Sequence, residues 1–185
     1  MKNITGILSV LMILTIGLAC SSDETAKANE TIAEANKFIP TANENVEKAA
    51  KKYEEYNKKV ADIESDEDLN KARDFGKELF PLYDGMSENF KKASEKFDEA
   101  SKLKVDPKYK EYLETKAKEM KMRSDFALEL KKIPQALIDS KQKKDYEENR
   151  DKIRETVNKM TKEATDLGDK AEKIRKDNPN IIKQN

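Results

Sequence analysis

The chain is 185 residues long, and 40% of it is Asp, Glu, Lys or Arg, with 37 basic against 37 acidic side chains, one cysteine and no histidine. That inventory excludes serine and cysteine catalytic triads, histidine-bearing zinc sites, the Glu-x-x-His iron sites of many helical bundles, and any internal disulfide. The even charge balance lacks the basic excess that nucleic-acid binding needs, and five glycines and five prolines with a mean hydropathy of −0.94 point to long, solvated helices.

Residues 1–19 begin with Lys2 and run on as an apolar stretch from Ile4 to Ala19, broken only by Thr5, Gly6, Ser9, Thr15 and Gly17, until Cys20-Ser21-Ser22-Asp23-Glu24. A spanning helix needs about 20 apolar residues; this shorter run, with a basic start and small residues at its end, has the form of a cleaved export signal. The step Gly17-Leu18-Ala19-Cys20 resembles the signal-cleavage box of bacterial lipoproteins, with Gly17 standing where most such boxes carry leucine. Relaxed boxes of that kind are similar to those of spirochaetal lipoproteins. The resemblance implies cleavage before Cys20, a diacylglycerol on the Cys20 sulfur and an N-acyl chain such as palmitate on its amino group. It also implies a cell-envelope location, with Ser21 favouring the outer membrane. Loss of residues 1–19 removes Lys2 and leaves 36 basic against 37 acidic side chains.

After a tether of residues 20–23, apolar or small residues recur three and four apart: Ile32, Ala35, Ile39, Ala42, Val46, Ala49, Tyr53, Tyr56, Val60 and Ile63. This heptad seam predicts a first helix over about 24–63, with Pro40 beside the seam rather than on it. Ser65 followed by Asp66, Glu67 and Asp68 reads as a helix start, a hydroxyl cap with acids in the first turn. The second predicted helix, about 66–103, carries Leu69, Ala72, Gly76, Leu79, Tyr83, Met86, Phe90, Ala93, Phe97 and Ala100, with Phe75, Leu82 and Leu103 widening the stripe. Residues 88–99 echo residues 44–55, which reads as a shared heptad constraint rather than as a duplicated hairpin. Asp106-Pro107 starts a third helix, about 107–138, lined by Tyr109, Leu113, Ala117, Met120, Ser124, Ala127 and Leu130, which Pro134 bends or ends. A fourth, about 143–176, carries Tyr146, Ile153, Val157, Met160, Ala164, Leu167, Ala171 and Ile174, and stops at Asp177-Asn178-Pro179-Asn180, leaving a frayed tail at 179–185.

One apolar stripe per helix predicts an all-α domain over 24–178: an elongated antiparallel (up-down-up-down) four-helix bundle with heptad-like seams. A three-helix bundle, or association between copies through the same seams, are the alternatives. Antiparallel packing would bring Pro134 level with Gly76 and near Pro81 and Gly85, with Phe75, Phe80, Tyr83 and Phe126 around them; this predicts either a packed kink or a small apolar pocket. The lysine groups 141, 143 and 144, and 170, 173 and 176, have acids among them and read as solvated faces. The acids Glu64, Asp66, Glu67 and Asp68 lack a glycine-containing ligand loop and read as capping rather than calcium binding. No phosphate loop, dinucleotide motif or EF-hand spacing occurs, so no catalytic residues, metal or cofactor are expected. Together with the lipoprotein resemblance this predicts a membrane-anchored, non-catalytic envelope protein presenting a rigid bundle to a protein or other macromolecular partner, as adhesin, spacer or envelope accessory. The alternative is a periplasmic carrier or chaperone holding an apolar ligand or client.

Overall fold

The computed structural model describes residues 23–180. Within them the chain is all-helical, with no strand: α1 (Thr25–Ala61), α2 (Asp66–Lys77), α3 (Phe80–Ser101), α4 (Pro107–Asp139) and α5 (Lys143–Asp177). α3 packs against α1 on one side and α4 on the other, α5 packs against α4, and the short α2 touches both α1 and α4. The expected signal, Cys20 and the last five residues lie outside the described residues.

Three of the helices, α1, α2 and α4, begin on a local side-chain hydrogen bond. The Asp23 carboxylate accepts from the Thr25 backbone N–H at 2.9 Å and from the Thr25 hydroxyl at 2.5 Å, and that hydroxyl holds the Asp23 pKa below the ordinary carboxylate value. At α2, Ser65 Oγ accepts from the Asp68 N–H at 3.2 Å and bonds its carboxylate at 2.6 Å, while Asp66, Glu67 and Asp68 place negative charge against the positive end of the helix dipole. Asp106 accepts from the Lys108 N–H at 2.7 Å, with Pro107 in the first helical position. α5 ends on Asn178, whose amide donates to the Ile174 carbonyl at 2.8 Å.

Three prolines have three outcomes. α1 runs unbroken through Pro40, which is exposed, so the carbonyl left without its helical donor faces water. α4 also continues through Pro134, which is buried. Where the periodicity predicts one helix over 66–103, however, the chain breaks at residues 78–79. Pro81 cannot donate to the Lys77 carbonyl, and the turn closes instead through tighter bonds, Glu78 N–H to Phe75 O and Leu79 N–H to Gly76 O, both 3.1 Å. The register survives the break, because Gly76, Leu79 and Tyr83 are all buried on one continuous stripe.

The core has two halves. One joins Ala28, Ile32, Ala35 and Ala42 of α1 to Phe90, Ala93 and Phe97 of α3, Tyr109, Leu113 and Met120 of α4, and Ile174 of α5. Alanines on α1 face phenylalanines on α3, so large side chains fill the space that small ones leave. The other half joins Ala49, Tyr56 and Val60 to Leu69 and Ala72 of α2, Leu79, Tyr83 and Met86, then Ala127, Ile133 and Leu137, and Tyr146 of α5. Between them sits a buried polar bridge: Ser124 Oγ donates to the Ser87 carbonyl at 2.9 Å, which leaves the Ser87 hydroxyl to donate to Ser124 Oγ, also at 2.9 Å.

One seam residue departs from expectation. Val46 is 38% exposed although it falls on the predicted heptad line. At this level Asn45 turns inward instead, its amide nitrogen 2.6 Å from where a side chain on Gly85 would begin. A straight helix drifts from a seven-residue repeat, and the room at Gly85 lets the polar neighbour take the inner place.

The ends of the helices are tied together. The Glu24 N–H donates to the Lys104 carbonyl, and the Lys104 N–H to the Glu24 carboxylate, each at 2.9 Å; Tyr109 OH donates to Asn29 of α1 nearby. At the other end of α1, Lys143 Nζ donates to the Ala61 carbonyl at 3.0 Å. Arg73 of α2 reaches the Leu137 carbonyl at 3.2 Å and also the Ser140 carbonyl.

Candidate functional site

Of the residues that the sequence singles out, Gly17, Leu18, Ala19 and Cys20 lie outside the described residues. The nearest described feature is the Glu24–Lys104 pair, which fastens the chain to the α3–α4 turn four residues after Cys20.

The glycine and proline group is partly assembled. Gly76 and Pro134 meet: a side chain begun on Gly76 would lie 3.2 Å from Pro134 Cβ and 3.2 Å from Tyr56 Cε2. The space beside Gly76 is therefore occupied by a proline ring and a tyrosine ring. Phe75 is half-buried and lies under two ammonium groups, Lys52 at 4.8 Å and Lys59 at 5.1 Å from the ring centre. Phe80 lies under Lys131 at 5.2 Å, and the same Lys131 grips Asp84 at 2.8 Å. Tyr83 is buried and Phe126 half-buried, both in the second core half. Pro81 is exposed at the start of α3, and Gly85 faces Asn45 of α1 rather than Pro134.

Beside Gly76 lies a group of tyrosines that the sequence places on the seam but does not connect. Tyr53 and Tyr56 of α1 stack with ring centres 5.9 Å apart, and Tyr146 of α5 and Tyr83 of α3 share the same half of the core. Tyr56 and Tyr146 are fully buried. The hydroxyls of Tyr53, Tyr56 and Tyr146 are buried with no hydrogen-bond partner among the described residues. Burial pushes the Tyr56, Tyr83 and Tyr146 pKa values above the ordinary phenol range, with neighbouring tyrosines adding to the shift at Tyr56 and Tyr83. On the surface over this group, a cleft of about 450 Å3 between α1 and α5 is lined by Asn57, Val60, Ala61, Lys143, Glu147, Arg150 and Arg154. The Arg150 guanidinium lies 5.6 Å from the Tyr146 ring centre.

A second relief runs between α3 and α4. Ser87, Ser94 and Ser101 recur seven apart along α3, and Ser94 Oγ donates to the Ala117 carbonyl at 2.8 Å. These small residues floor two adjoining hollows of about 530 and 360 Å3 that share Ser94, Glu95 and Lys121. Their walls carry Lys91, Asp98, Lys102, Lys110, Glu114, Lys118 and Asp125, and the exposed Leu128 stands at one end. The seven-residue spacing of these serines is visible in the sequence, but that they lie against α4 is not.

Sequence reasoning missed Glu119. It is buried on α4, where Lys116 at 2.7 Å and Arg123 at 2.9 Å hold its carboxylate on its own helix, and it lies against Gly168 of α5. The absence of a side chain at Gly168 makes room for it, a signal visible only once α4 and α5 are paired. Of the lysine groups, Lys143 is tied to Ala61 O, Lys170 pairs with Glu111 at 3.8 Å, and Lys176 pairs with Glu172 at 3.4 Å. Glu172 also takes two bonds from Arg175 at 2.6 and 2.8 Å, which lowers its pKa from 4.5 to about 2, with Lys176 assisting. Asp66, Glu67 and Asp68 sit in the first turn of α2 as capping acids.

Among the described residues no group of three or more His, Cys, Asp or Glu side chains is placed to hold a metal ion, and no helix is long and apolar enough to cross a membrane. Compared with known proteins, the chain matches no protein-family model, no curated protein and no solved structure.

Proposed function

We propose that the protein is a non-catalytic lipoprotein of the cell envelope, anchored through acylated Cys20, whose helices form an antiparallel up-down-up-down bundle presented to a macromolecular partner. The reading rests on the Gly17-Leu18-Ala19-Cys20 step, and the backbone and side-chain clamp between Glu24 and Lys104 bears on how such an anchor would hold the helices. Four chain steps separate Cys20 from Glu24, at most about 14 Å of extended chain, so an anchor at Cys20 has almost no slack. The lipid then holds the Glu24 and Lys104 end at the bilayer. α1, with 37 residues, rises about 55 Å from it, and the turns around 62–65 and 140–142 form the far tip.

The pairing of helix ends supports the alternating direction. Glu24 at the start of α1 meets the turn after α3, while Ala61 at its end meets Lys143 at the start of α5. The charged relief between α3 and α4 is the flank offered to the partner. For the carrier reading, the Gly76 level offers little room, since Tyr56 and Pro134 occupy the space there.

Expression of Cys20→Ser beside the parent, with fractionation and protease treatment of intact cells, tests the proposal. The parent should float with membranes and Cys20→Ser should accumulate unprocessed. Equal processing and equal membrane retention of Cys20→Ser would end the lipoprotein reading.

A further inference from the structure

The three unpartnered tyrosine hydroxyls are the most unusual chemical feature of the core. Buried polar groups are nearly always hydrogen-bonded, and leaving one unmet is destabilising. Here Tyr53 and Tyr56 contribute two from α1 and Tyr146 one from α5. The Tyr56 and Tyr146 hydroxyls influence each other, and Arg150 influences Tyr146, though neither hydroxyl closes a hydrogen bond of good geometry. Both are protonated at neutral pH, as tyrosines ordinarily are, and burial extends that to higher pH, so each has a proton to donate.

Their surroundings are rich in donors. Arg150 covers Tyr146, and its Nε and Nη2 both bond Asp151 at 3.0 and 2.9 Å, which leaves Nη1 free. Arg154, in the same cleft, pairs with no carboxylate among the described residues. Lys143 adds a third cation, against the single acid Glu147 in the lining. With Asp151 counted beside Glu147, three cations meet two acids here, so a chain that is electrically balanced overall carries a small local excess of positive charge near buried phenol donors. The cleft also lies on the open side of the fold: α1 and α5 share both core halves, yet their backbones do not approach each other as α1 and α3 or α4 and α5 do.

We propose that this end of the α1–α5 seam is a binding site for a small oxyanion, a carboxylate or phosphate group, held by Arg150, Arg154 and Lys143 and completed by the Tyr56 and Tyr146 hydroxyls. The donor set selects the ligand class. Guanidinium and ammonium groups only donate, and phenols next to them donate best to an acceptor with several lone pairs, which a carboxylate or phosphate supplies in bidentate form. Neither tyrosine lines the cleft itself; a bound oxyanion reaches their hydroxyls once Arg150, which stands against the Tyr146 ring and is 24% exposed, swings on its flexible stem. The inference does not depend on membrane anchoring.

The test uses the intact chain in a non-ionic detergent, titrated with inorganic phosphate or with acetate against chloride at constant ionic strength. Tyrosine fluorescence and the thermal midpoint are the readouts. Saturable binding of either oxyanion is expected, with affinity reduced about tenfold or more in Arg150→Gln and about fivefold in Tyr56→Phe, and unchanged in Lys27→Gln, an exposed lysine at the opposite end of α1. Circular dichroism checks that each variant is folded. A response to chloride equal to that to phosphate and acetate overturns the proposal, as does unchanged affinity in a folded Arg150→Gln. If Tyr56→Phe lowers the thermal midpoint while neither oxyanion binds, the hydroxyls are served by buried water and the site is not a ligand site.

Discussion

Two helical glycines, Gly76 of α2 and Gly85 of α3, should respond to alanine in opposite directions. Glycine in a helix interior costs up to about 1 kcal/mol relative to alanine, so Gly→Ala gains that much wherever the new methyl fits. At Gly85 the nearest atom to the added carbon is Asn45 Nδ2 at 2.6 Å, the far end of a side chain that can rotate away toward solvent. At Gly76 the nearest atoms are Pro134 Cβ and Tyr56 Cε2, both at 3.2 Å. Neither can yield easily, because Pro134 is locked in α4 and Tyr56 is fully buried. Overpacking of this kind costs about 1–3 kcal/mol and outweighs the propensity gain. Gly85→Ala should therefore stabilise by about 0.5–1 kcal/mol, and Gly76→Ala should destabilise by about 1–2 kcal/mol. For a chain of this size these become a rise of about 1–4 °C and a fall of about 2–8 °C in Tm. Thermal unfolding of the intact chain followed by circular dichroism at 222 nm measures both. A Gly76→Ala variant as stable as the parent would refute the close contact of α1, α2 and α4 at that level.

Ser65→Ala removes the hydroxyl that receives the Asp68 N–H and should cost about 1 kcal/mol in urea unfolding; an unchanged midpoint would show that α2 starts elsewhere. The Glu172 pKa falls from 4.5 to about 2 in the folded chain, so its contribution to stability is present above pH 4.5 and lost as pH falls through about 2. Glu172→Gln should flatten the acid limb of the stability profile in that window, and an identical acid limb would show that the Glu172 carboxylate contributes nothing there. At alkaline pH the sign reverses. Tyr56 and Tyr83 have raised pKa values, so the unfolded chain ionises first and stability declines above the ordinary phenol value of 10.0. Phenolate absorbance at 295 nm should therefore finish rising only with the loss of helical signal, and complete ionisation of a still helical chain would contradict their burial.

Much of the helical layout was legible because helix geometry repeats. Ala35, Ala42, Ala49 and Tyr56 recur seven apart, and all four are buried. The starts at Ser65 and Asp106 were legible because a capping side chain acts on N–H groups two or three residues away, a distance that sequence spacing specifies. The proline outcomes were not. Pro40, Pro81 and Pro134 carry the same local defect, yet only the chain before Pro81 breaks, and Pro134 instead packs on a glycine fifty-eight positions earlier.

The same division separates the candidate sites. Tyr56 and Tyr146 are read from the sequence as core residues, and they are buried; that they share one half of the core, from two helices far apart in the chain, depends on tertiary packing. Asn45 displaces Val46 only because Gly85 of another helix leaves room, and Glu119 is buried only because Gly168 lies against it. Periodicity and capping are properties of neighbours along the chain, and the sequence by itself determined them here. Which glycine is filled, which polar group is enclosed and which seam stays open depend on side chains far apart in sequence, and only the tertiary packing decided those.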